Sequence, residues 1–530
     1  MSMVNQDRTK RLVAIHGWSG TVLGLFLYVV LLTGAISVFA LEIGQWSSGG
    51  TRSETPLDQP LDARLRELAG SVDAEYRDEV TVFATSSGVI QAFFHTHTQN
   101  DSGQIEDIGV RFDLDPKSLN ILHRHEGFRS ELPEDQEGAL DEFITHLHIN
   151  LHAPNPWGLY ATGLLGFVML IAAISGLIMH KHVIKDIFVA PRRSSALLKR
   201  KDAHVQAGSW GLPFGFLLAF TGTFFSFAGA LGIPILAMVA FGGDQEKLIE
   251  TVVGSAKAED ATPATLTDID AVLAHSMEQA ESEPLSLVIS HWGRADASIQ
   301  VFHAAAEGNL NGDNYTFDGA TGEFLGIKPL IGTEPSLGAD ILGLMGPLHF
   351  GTFGGLLSKL VWFSLGLAAC YITLTGLQLW VERRKESRAW AWMNQAIVTV
   401  GYGTGVALAT AAIAFFVSLP SGATHAWTAN GFLIGAGMSI FIGLVVRGTE
   451  RVGKVLGALL GLSLLVIPVA RLVGDGPGWM TLFERGQAVP IGMDIAMVLG
   501  AAAVVLLAFR DKPSKPARKK VEVGAELVAG

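Results

Sequence analysis

Eight long apolar runs dominate the hydrophobic pattern of the chain. A helix rises about 1.5 Å per residue, so roughly 20 apolar residues cross the hydrocarbon core of a bilayer. Each run is long enough for this, and the third leaves space for a turn or an interfacial tail. The pattern therefore predicts eight transmembrane helices. The runs lie at approximately 13–40, 157–180, 205–240, 350–380, 394–417, 429–446, 453–473 and 492–509.

Two polar segments of about 100 residues, 41–156 and 241–348, interrupt the apolar pattern. Each starts with a short helical stretch and continues with alternating runs that are typical of strands joined by turns. Each segment is predicted to be a small α+β module outside the membrane. The helical stretches are 61–70 and 267–280, and the strand-like runs are 80–84, 89–95, 286–290 and 298–303.

The first four apolar runs belong to a repeated unit, which the spacing of His, Gly and Thr-Gly reveals. His16 precedes Gly20 by four residues and Thr33-Gly34 by seventeen, and His204 precedes Gly208 and Thr221-Gly222 by the same intervals. Ser175-Gly176 and Thr375-Gly376 match in the second and fourth runs, and Leu147-His148 and Leu348-His349 match before them. The sequence predicts a first repeat at 1–190, a second at 200–385, four additional helices at 390–510 and a cytoplasmic tail at 511–530.

Basic residues predict the orientation of these helices, because short cytoplasmic loops are rich in Lys and Arg. The loop 181–203 has seven basic residues and the tail from Arg510 to Lys520 has six, whereas the turn 418–428 has none. Both termini are therefore expected in the cytoplasm of a bacterial cell, with the chain in the inner membrane. The two long acidic segments then lie in the periplasm.

Composition excludes several kinds of cofactor site. Cys370 is the only cysteine, so the chain has neither a disulfide nor the cysteines needed for covalent haem or an iron–sulfur cluster. The Gly401-x-Gly403-x-Gly405 pattern lies in an apolar run without a preceding strand, so it does not indicate dinucleotide binding. There is no P-loop, and nucleic acid is not an expected partner.

Histidines at the ends of the apolar runs are the strongest chemical signal, because ionisable residues at membrane depth are usually functional. The repeat pairs His16 with His204 at the cytoplasmic end and His148 with His349 at the outer end. Such pairs suit a bis-histidine b-type haem, and Gly20 and Gly208, one turn from the inner histidines, would leave space for a porphyrin.

The sequence leaves the roles of His180 and His152 open. His180 has no repeat partner, because Trp380 occupies the equivalent position, and it is either a haem ligand that replaces one of the symmetric pair or a structural residue. For His152, anchoring or exposure is favoured over ligation. His95-Thr-His97 and His123-Arg-His125 each place two imidazoles on one strand face, where a metal ion is one alternative and a solvated face is the favoured one.

Residues 8–385 resemble the PepSY-associated transmembrane family of iron-regulated membrane proteins, which includes ferric-siderophore reductases. The resemblance rests on an ordered set of motifs. These are His16-Gly-Trp-Ser-Gly, Leu147-His148-x-x-Leu151, Ser175-Gly176-Leu-Ile-Met-His180-Lys, Asp202-Ala-His204, His349-Phe-Gly351 and the Phe317-Asp-x-x-Thr-Gly-Glu323 turn. The first outer segment has Asp115-Pro116-Lys117-Ser118 where the Thr-Gly turn is expected.

The resemblance implies two b-type haems and electron delivery to a ferric siderophore in the periplasm. A cytoplasmic reductase or membrane quinol would supply the electrons. Two other functions remain open, a siderophore or metal permease and a haem-free periplasmic sensing module. The permease predicts polar residues along the interior of several helices, and the sensing module predicts a colourless protein.

Overall fold

The computed structural model describes residues 6–48, 57, 59–99, 105–179, 196–243, 248, 257–306, 309–329, 336–384 and 387–510. Within these residues, eight helices are long and apolar enough to cross a bilayer, which confirms the predicted number of spans. The protein is a polytopic helical membrane protein. The predicted tail 511–530 and His180 lie outside the described residues. The spanning helices are Gln6–Ser37, Trp157–Met179, Leu212–Phe227, Gly355–Glu382, Arg388–Ser418, Thr424–Val445, Thr449–Val473 and Ala488–Phe509.

The third apolar run forms more than one helix. Helix Ala196–Trp210 carries His204, and the spanning helix Leu212–Phe227 starts after Gly211, with Pro213 in its first turn. Proline is tolerated there because the first turn has no intrahelical partner for its missing N–H. A π-helical turn, Ala228–Gly232, then leads into helix Ile233–Phe241. The run therefore contains the turn that its length allowed.

The eight spans form two groups. The first span packs against the second and the fourth, and the second packs against the third. The fifth span packs against the sixth and seventh, and the seventh against the eighth. The hydroxyl of Tyr28 in the first span donates to the carbonyl of Gly401 in the fifth at 2.7 Å, which ties the two groups together.

The two outer segments share one antiparallel sheet of eight strands in the order β4-β3-β2-β1-β5-β6-β7-β8. The two predicted modules thus meet at β1 and β5, where Glu79 is opposite Ser290 and Phe83 is opposite Ser286. This pairing removes two sheet edges that would otherwise be exposed. The strands are β1 Glu79–Ala84, β2 Ile90–Gln99, β3 Ile105–Leu114, β4 Ile121–Phe128, β5 Pro284–Ser290, β6 Ser298–His303, β7 Asn314–Asp318 and β8 Phe324–Lys328.

Helices Asp62–Gly70 and Ile269–Ala280 lie close to the predicted positions and cover one face of this sheet. Their first turns bind each other, because Asp270 Oδ1 accepts from the Leu61 N–H at 2.7 Å and Asp62 Oδ1 accepts from the Ile269 N–H at 3.0 Å. Each carboxylate satisfies an N–H that its partner helix cannot pair internally. One hydrophobic core therefore serves both outer segments.

Three shorter helices connect the sheet to the membrane. Ala40–Ser47 follows the first span, Ala139–Ile149 precedes the second, and Leu337–Phe350 precedes the fourth. We call the side of the bundle where these helices lie the sheet end, and the opposite side the far end. His148 and His349 lie on two of the connecting helices, so they are at the sheet end.

Candidate functional site

His16 and His204 face each other at the far end of the bundle, with their ring centroids 6.3 Å apart and their planes inclined by 73°. His16 belongs to the first span, and His204 to the helix that precedes the third. His204 lies 188 positions after His16 in the sequence, and the whole first outer segment lies between them. The fold therefore brings together the two inner histidines that the repeat predicted as partners.

Both inner imidazoles are held through Nδ1. The Nδ1–H of His16 donates to the carbonyl of Ala172 at 3.0 Å and lies 3.2 Å from Ser175 Oγ. That hydroxyl donates its own hydrogen to the Ile171 carbonyl at 2.6 Å, so toward His16 it acts as an acceptor. His204 makes the corresponding contacts, to the Ile372 carbonyl and Thr375 Oγ1, both at 3.1 Å. With Nδ1 protonated, Nε2 is the unprotonated nitrogen and is able to ligate a metal.

His148 and His349 form a second pair at the sheet end, with ring centroids 6.1 Å apart and planes inclined by 31°. The Nδ1–H of His148 donates to the Val30 carbonyl at 2.9 Å. The Nδ1 of His349 lies 2.8 Å from Thr221 Oγ1, whose hydrogen is already donated to the Leu217 carbonyl. Both rings are thus fixed with Nε2 unprotonated, as at the far end.

A glycine lies against each of the four imidazoles. An added Cβ would stand 2.5 Å from His148 Cε1 at Gly34 and 3.3 Å from His349 Cε1 at Gly222. At the far end, the corresponding distances are 3.4 Å from His16 at Gly176 and 3.0 Å from His204 at Gly376. A side chain at Gly34 would displace the ring of His148, whereas side chains at the other three positions would be in tight or ordinary contact with the rings. The Thr-Gly and Ser-Gly pairs of the repeat thus each place a glycine against a histidine.

Gly20 and Gly208 have a different environment, because among the residues that the structure describes no neighbouring element comes within 4 Å of a Cβ added to either. They lie one turn from His16 and His204, so the described part of the chain leaves space beside the inner pair. The ring separations also suit a shared ion. With iron–nitrogen bonds of about 2 Å, two imidazoles on opposite sides of one iron have centroids about 6 Å apart. With centroids 6.3 and 6.1 Å apart, the two pairs have separations at which both imidazoles of a pair would be able to hold one haem iron.

The two pairs lie far apart along the bundle. His16 and Val30, which touches His148, are on one helix. The rise of about 1.5 Å per residue separates them by about 21 Å along the helix axis. This is most of the roughly 30 Å hydrocarbon core of a bilayer. An electron carrier bound at each pair would divide electron transfer across the bilayer into shorter steps.

Comparison with known proteins places this arrangement in a family. The family described as the PepSY-associated TM region matches residues 13–383, which include both histidine pairs and the whole outer sheet. The chain belongs to the PepSY-associated transmembrane family. It is also 26% identical to the uncharacterized protein PA4219 of Pseudomonas aeruginosa over 382 residues, which cover 69% of this chain and 93% of that protein.

The PepSY-associated region ends at the fourth span, so the last four spans lie beyond the match. They contain a buried polar cluster that the sequence did not reveal and that Trp46 of the family region joins. Arg471 Nη2 lies 2.7 Å from Asp494 Oδ2, and each side chain is 1% exposed. Trp46 and Trp479 donate their indole N–H groups to the same carboxylate at 2.9 and 2.8 Å. The only sequence signal is the presence of a charged residue in each of two apolar runs.

Other histidines singled out from the sequence lie away from the two pairs. His152 stacks on Phe143 at 4.3 Å between centroids, and its Nε2 contacts the Phe143 carbonyl at 2.9 Å. It lines a cavity of about 490 Å³ between the helix Ala139–Ile149 and the sixth span, together with His146 and His425. This placement agrees with the anchoring role that the sequence favoured for His152.

Aromatic residues pack beside both pairs. Phe225 lies against His349 with ring centroids 5.6 Å apart, whereas Phe220 and Phe224 are exposed on the surface of the third span. Trp380, which occupies the position equivalent to His180, packs over Gly17 next to His16. Arg384 lies 3.4 Å above its ring. Phe225 thus packs beside the pair at the sheet end, and Trp380 packs beside the pair at the far end.

Proposed function

We propose that the chain binds two b-type haems, one between His16 and His204 and one between His148 and His349, and passes electrons across the inner membrane. The proposed acceptor is a ferric siderophore in the periplasm. The observation that carries the proposal is the pair of facing imidazole sets at opposite ends of one bundle. Each set has Nδ1 tied and a ring separation that suits one iron. Haem, when bound, supplies reversible one-electron oxidation and reduction of its iron.

The chain's own residues would set how easily each site accepts an electron. Carbonyls and hydroxyls that accept the Nδ1–H groups raise the basicity of the ligating nitrogens. The glycines hold the rings at a fixed depth, and Phe225 and Trp380 exclude water from the sites. The protein would need no acid–base pair for this chemistry, because one electron arrives and one leaves.

The outer sheet is the proposed site of ferric chelate reduction. One electron converts Fe(III) to Fe(II), which is held less well by the hard oxygen ligands typical of siderophores, so the metal is released. The basic loops favour a cytoplasmic location for the far end. Electrons would enter there from a cytoplasmic reductase, or from quinol in the membrane.

The proposal is tested with the full chain in proteoliposomes whose protein orientation is established by protease accessibility. The protein is reduced with dithionite, excess reductant is removed, and a membrane-impermeant ferric chelate is added outside or enclosed inside. Reoxidation is followed by visible absorption. The control is His148→Ala, which removes the proposed exit site.

The proposal predicts rapid reoxidation only when the chelate faces the outer sheet, and slow reoxidation in His148→Ala. Reoxidation confined to the opposite face would overturn the proposed direction. Uptake of chelate without any change in redox state would instead support a permease. A colourless protein would support a binding module. Prompt reduction by NADPH alone would show that a nucleotide site exists in the chain.

A further inference from the structure

A second group of histidines lies in the outer sheet, remote from both membrane pairs. His95 and His97 are two residues apart on β2, so their side chains share one face of the sheet. The sheet register places Glu79 of β1 opposite His95 and Asp107 of β3 opposite His97. This is the face opposite the hydrophobic core, because the alternating residues Ala92 and Phe94 of β2 are buried in that core. Three neighbouring strands thus converge on one polar spot.

Both imidazoles present Nε2 to the same carboxylate. His95 Nε2 lies 3.4 Å from Glu79 Oε1, and His97 Nε2 lies 3.9 Å from Glu79 Oε2. One ligand atom from each of the three residues lies within 4.8 Å of the other two. Ligands about 2.1 Å from a tetrahedral metal are about 3.4 Å apart. Small side-chain rotations would therefore suffice to bring the three ligand atoms into coordination distance of one ion.

The opposite nitrogen of each ring is already occupied. His95 Nδ1 lies 3.2 Å from the Phe93 carbonyl, and His97 Nδ1 lies 2.8 Å from Asp107 Oδ1. Arg129 donates to the other Asp107 oxygen at 3.1 Å. Metal-binding histidines usually donate their second N–H to a carbonyl or a carboxylate, which fixes the tautomer and orients the ring. Both partners are present here.

The charges also suit a cation. Two carboxylates, those of Glu79 and Asp107, have oxygens within 4.0 Å of the ring nitrogens of these histidines. His95 is 1% exposed, whereas His97 is 48% exposed. The spot therefore combines two carboxylates with one buried imidazole and one imidazole that solvent reaches.

We propose that Glu79, His95 and His97 bind a divalent first-row transition metal ion, and that Asp107 orients His97 by accepting its Nδ1–H. Two imidazoles and one carboxylate are borderline ligands that suit zinc or ferrous iron rather than calcium or magnesium. Three protein ligands leave at least one coordination position for water or an exchanging ligand. The proposal does not depend on haem or on siderophore reduction.

A neighbouring group provides a matched comparison. Asp113, His123 and His125 also bring three ligand atoms together on β3 and β4. There, however, Arg111 Nε lies 3.0 Å from Asp113 and already pairs the carboxylate. His123 is 69% exposed and lies 4.0 Å from Asp113. The guanidinium would repel a metal ion at this second position, so His123→Ala is the control variant.

The test is calorimetric titration of zinc chloride into the full chain in nanodiscs after chelator treatment, with bound zinc counted by mass spectrometry. The variants are His97→Ala, Glu79→Gln and Asp107→Asn, and thermal unfolding without metal checks that each is folded. His97→Ala and Glu79→Gln should each bind one zinc ion fewer than the wild type. Asp107→Asn should keep the ion with about 10–100-fold weaker affinity, as for other orienting partners of metal-bound histidines.

His123→Ala should match the wild type. Anaerobic Fe²⁺ should compete for the same zinc ion. Unchanged zinc binding in both His97→Ala and Glu79→Gln would overturn the proposal, and so would loss of zinc in His123→Ala. A wild-type chain that binds no zinc would overturn it too. These readouts are independent of haem content, so they separate this site from the proposed electron-transfer function.

Discussion

Gly34 lies so close to His148 that a Cβ atom on Gly34 would stand 2.5 Å from the imidazole Cε1 and 2.8 Å from Nδ1. The same imidazole donates its Nδ1–H to Val30, one turn earlier on that helix. The first span therefore both clears space for the ring and holds it. The position of the outer histidine is determined by backbone and glycine rather than by a large side chain.

Gly34→Ala should displace His148 and remove haem from the sheet end while leaving the far end loaded. The reason is steric, because a Cβ atom 2.5 Å from the imidazole is closer than a van der Waals contact and either the ring or the helix must shift. The measurement is haem content per chain by pyridine extraction, which should fall from about two to about one. Gly437→Ala is the control, since a Cβ at that exposed position meets nothing. Full haem content in Gly34→Ala would contradict the seating role.

Gly208→Leu tests the open space beside His204. Within the part of the chain that the structure describes, no neighbouring element comes within 4 Å of a Cβ at this position, so we expect a leucine there to leave the protein fold intact. If a porphyrin fills that space, the variant should lose the far-end haem while its unfolding temperature in the haem-free form stays unchanged. Gly437→Leu is the matched control. A Gly208→Leu protein with both haems would show that the porphyrin lies elsewhere.

Asp494→Asn should destabilise the packing of the seventh span against the eighth, together with the contact of Asp494 with Trp46. The substitution leaves Arg471 buried and uncompensated, which in comparable buried pairs costs about 3–5 kcal/mol. Equilibrium unfolding in mixed micelles measures this free energy. The exposed pair Lys454–Glu450 at 3.1 Å is the control, and Glu450→Gln should change the free energy of unfolding by about 0–1 kcal/mol. Equal effects of the two substitutions would refute a special role for Asp494.

His97 should make metal-free stability depend on pH. Its hydrogen bond to Asp107 raises its pKa above 6.5, with the charges of Glu79 and Asp78 adding to the effect. A raised folded pKa means that the contribution of His97 is complete below about pH 6.5 and is lost as the pH rises through the folded value. The melting temperature of the wild type minus that of His97→Gln should therefore be largest near pH 5.5 and shrink toward pH 8.5. A difference that grows with pH would have the wrong sign.

The eight spans could be predicted from sequence, because length and apolar composition are enough to define a membrane helix. Four of the eight outer strands, β1, β2, β5 and β6, could be predicted from their alternation, whereas β3, β4, β7 and β8 were not among the predicted runs. The pairing of β1 with β5 could not be predicted, because it joins two edges that are about 200 residues apart and carry no distinguishing pattern. The alternation of apolar and polar residues predicts a strand, but it does not determine which other strand pairs with it.

The histidine pairs of the candidate site could be predicted from the sequence only because the spacing of His, Gly and Thr-Gly occurs twice. The spacing of His16 and His204 indicated partners, and the structure brings them together, but the Thr-Gly and Ser-Gly pairs gave no hint of their contact with the rings. From the sequence, Gly20 and Gly208 were the glycines predicted to make space beside the inner histidines. The Asp494–Arg471 pair was missed because each residue alone looks like an isolated charge in an apolar run, and only tertiary packing joins them.

Haem binding by the two histidine pairs is tested most directly by the visible spectrum and haem content of the purified full chain. These are compared with those of four single variants. The wild type should show low-spin bis-histidine b-type spectra with two extractable haems per chain. His148→Ala and His349→Ala should lose the sheet-end haem, and His16→Ala and His204→Ala should lose the far-end haem. A colourless wild type from haem-replete cells, or four variants with unchanged haem content, would contradict the central claim.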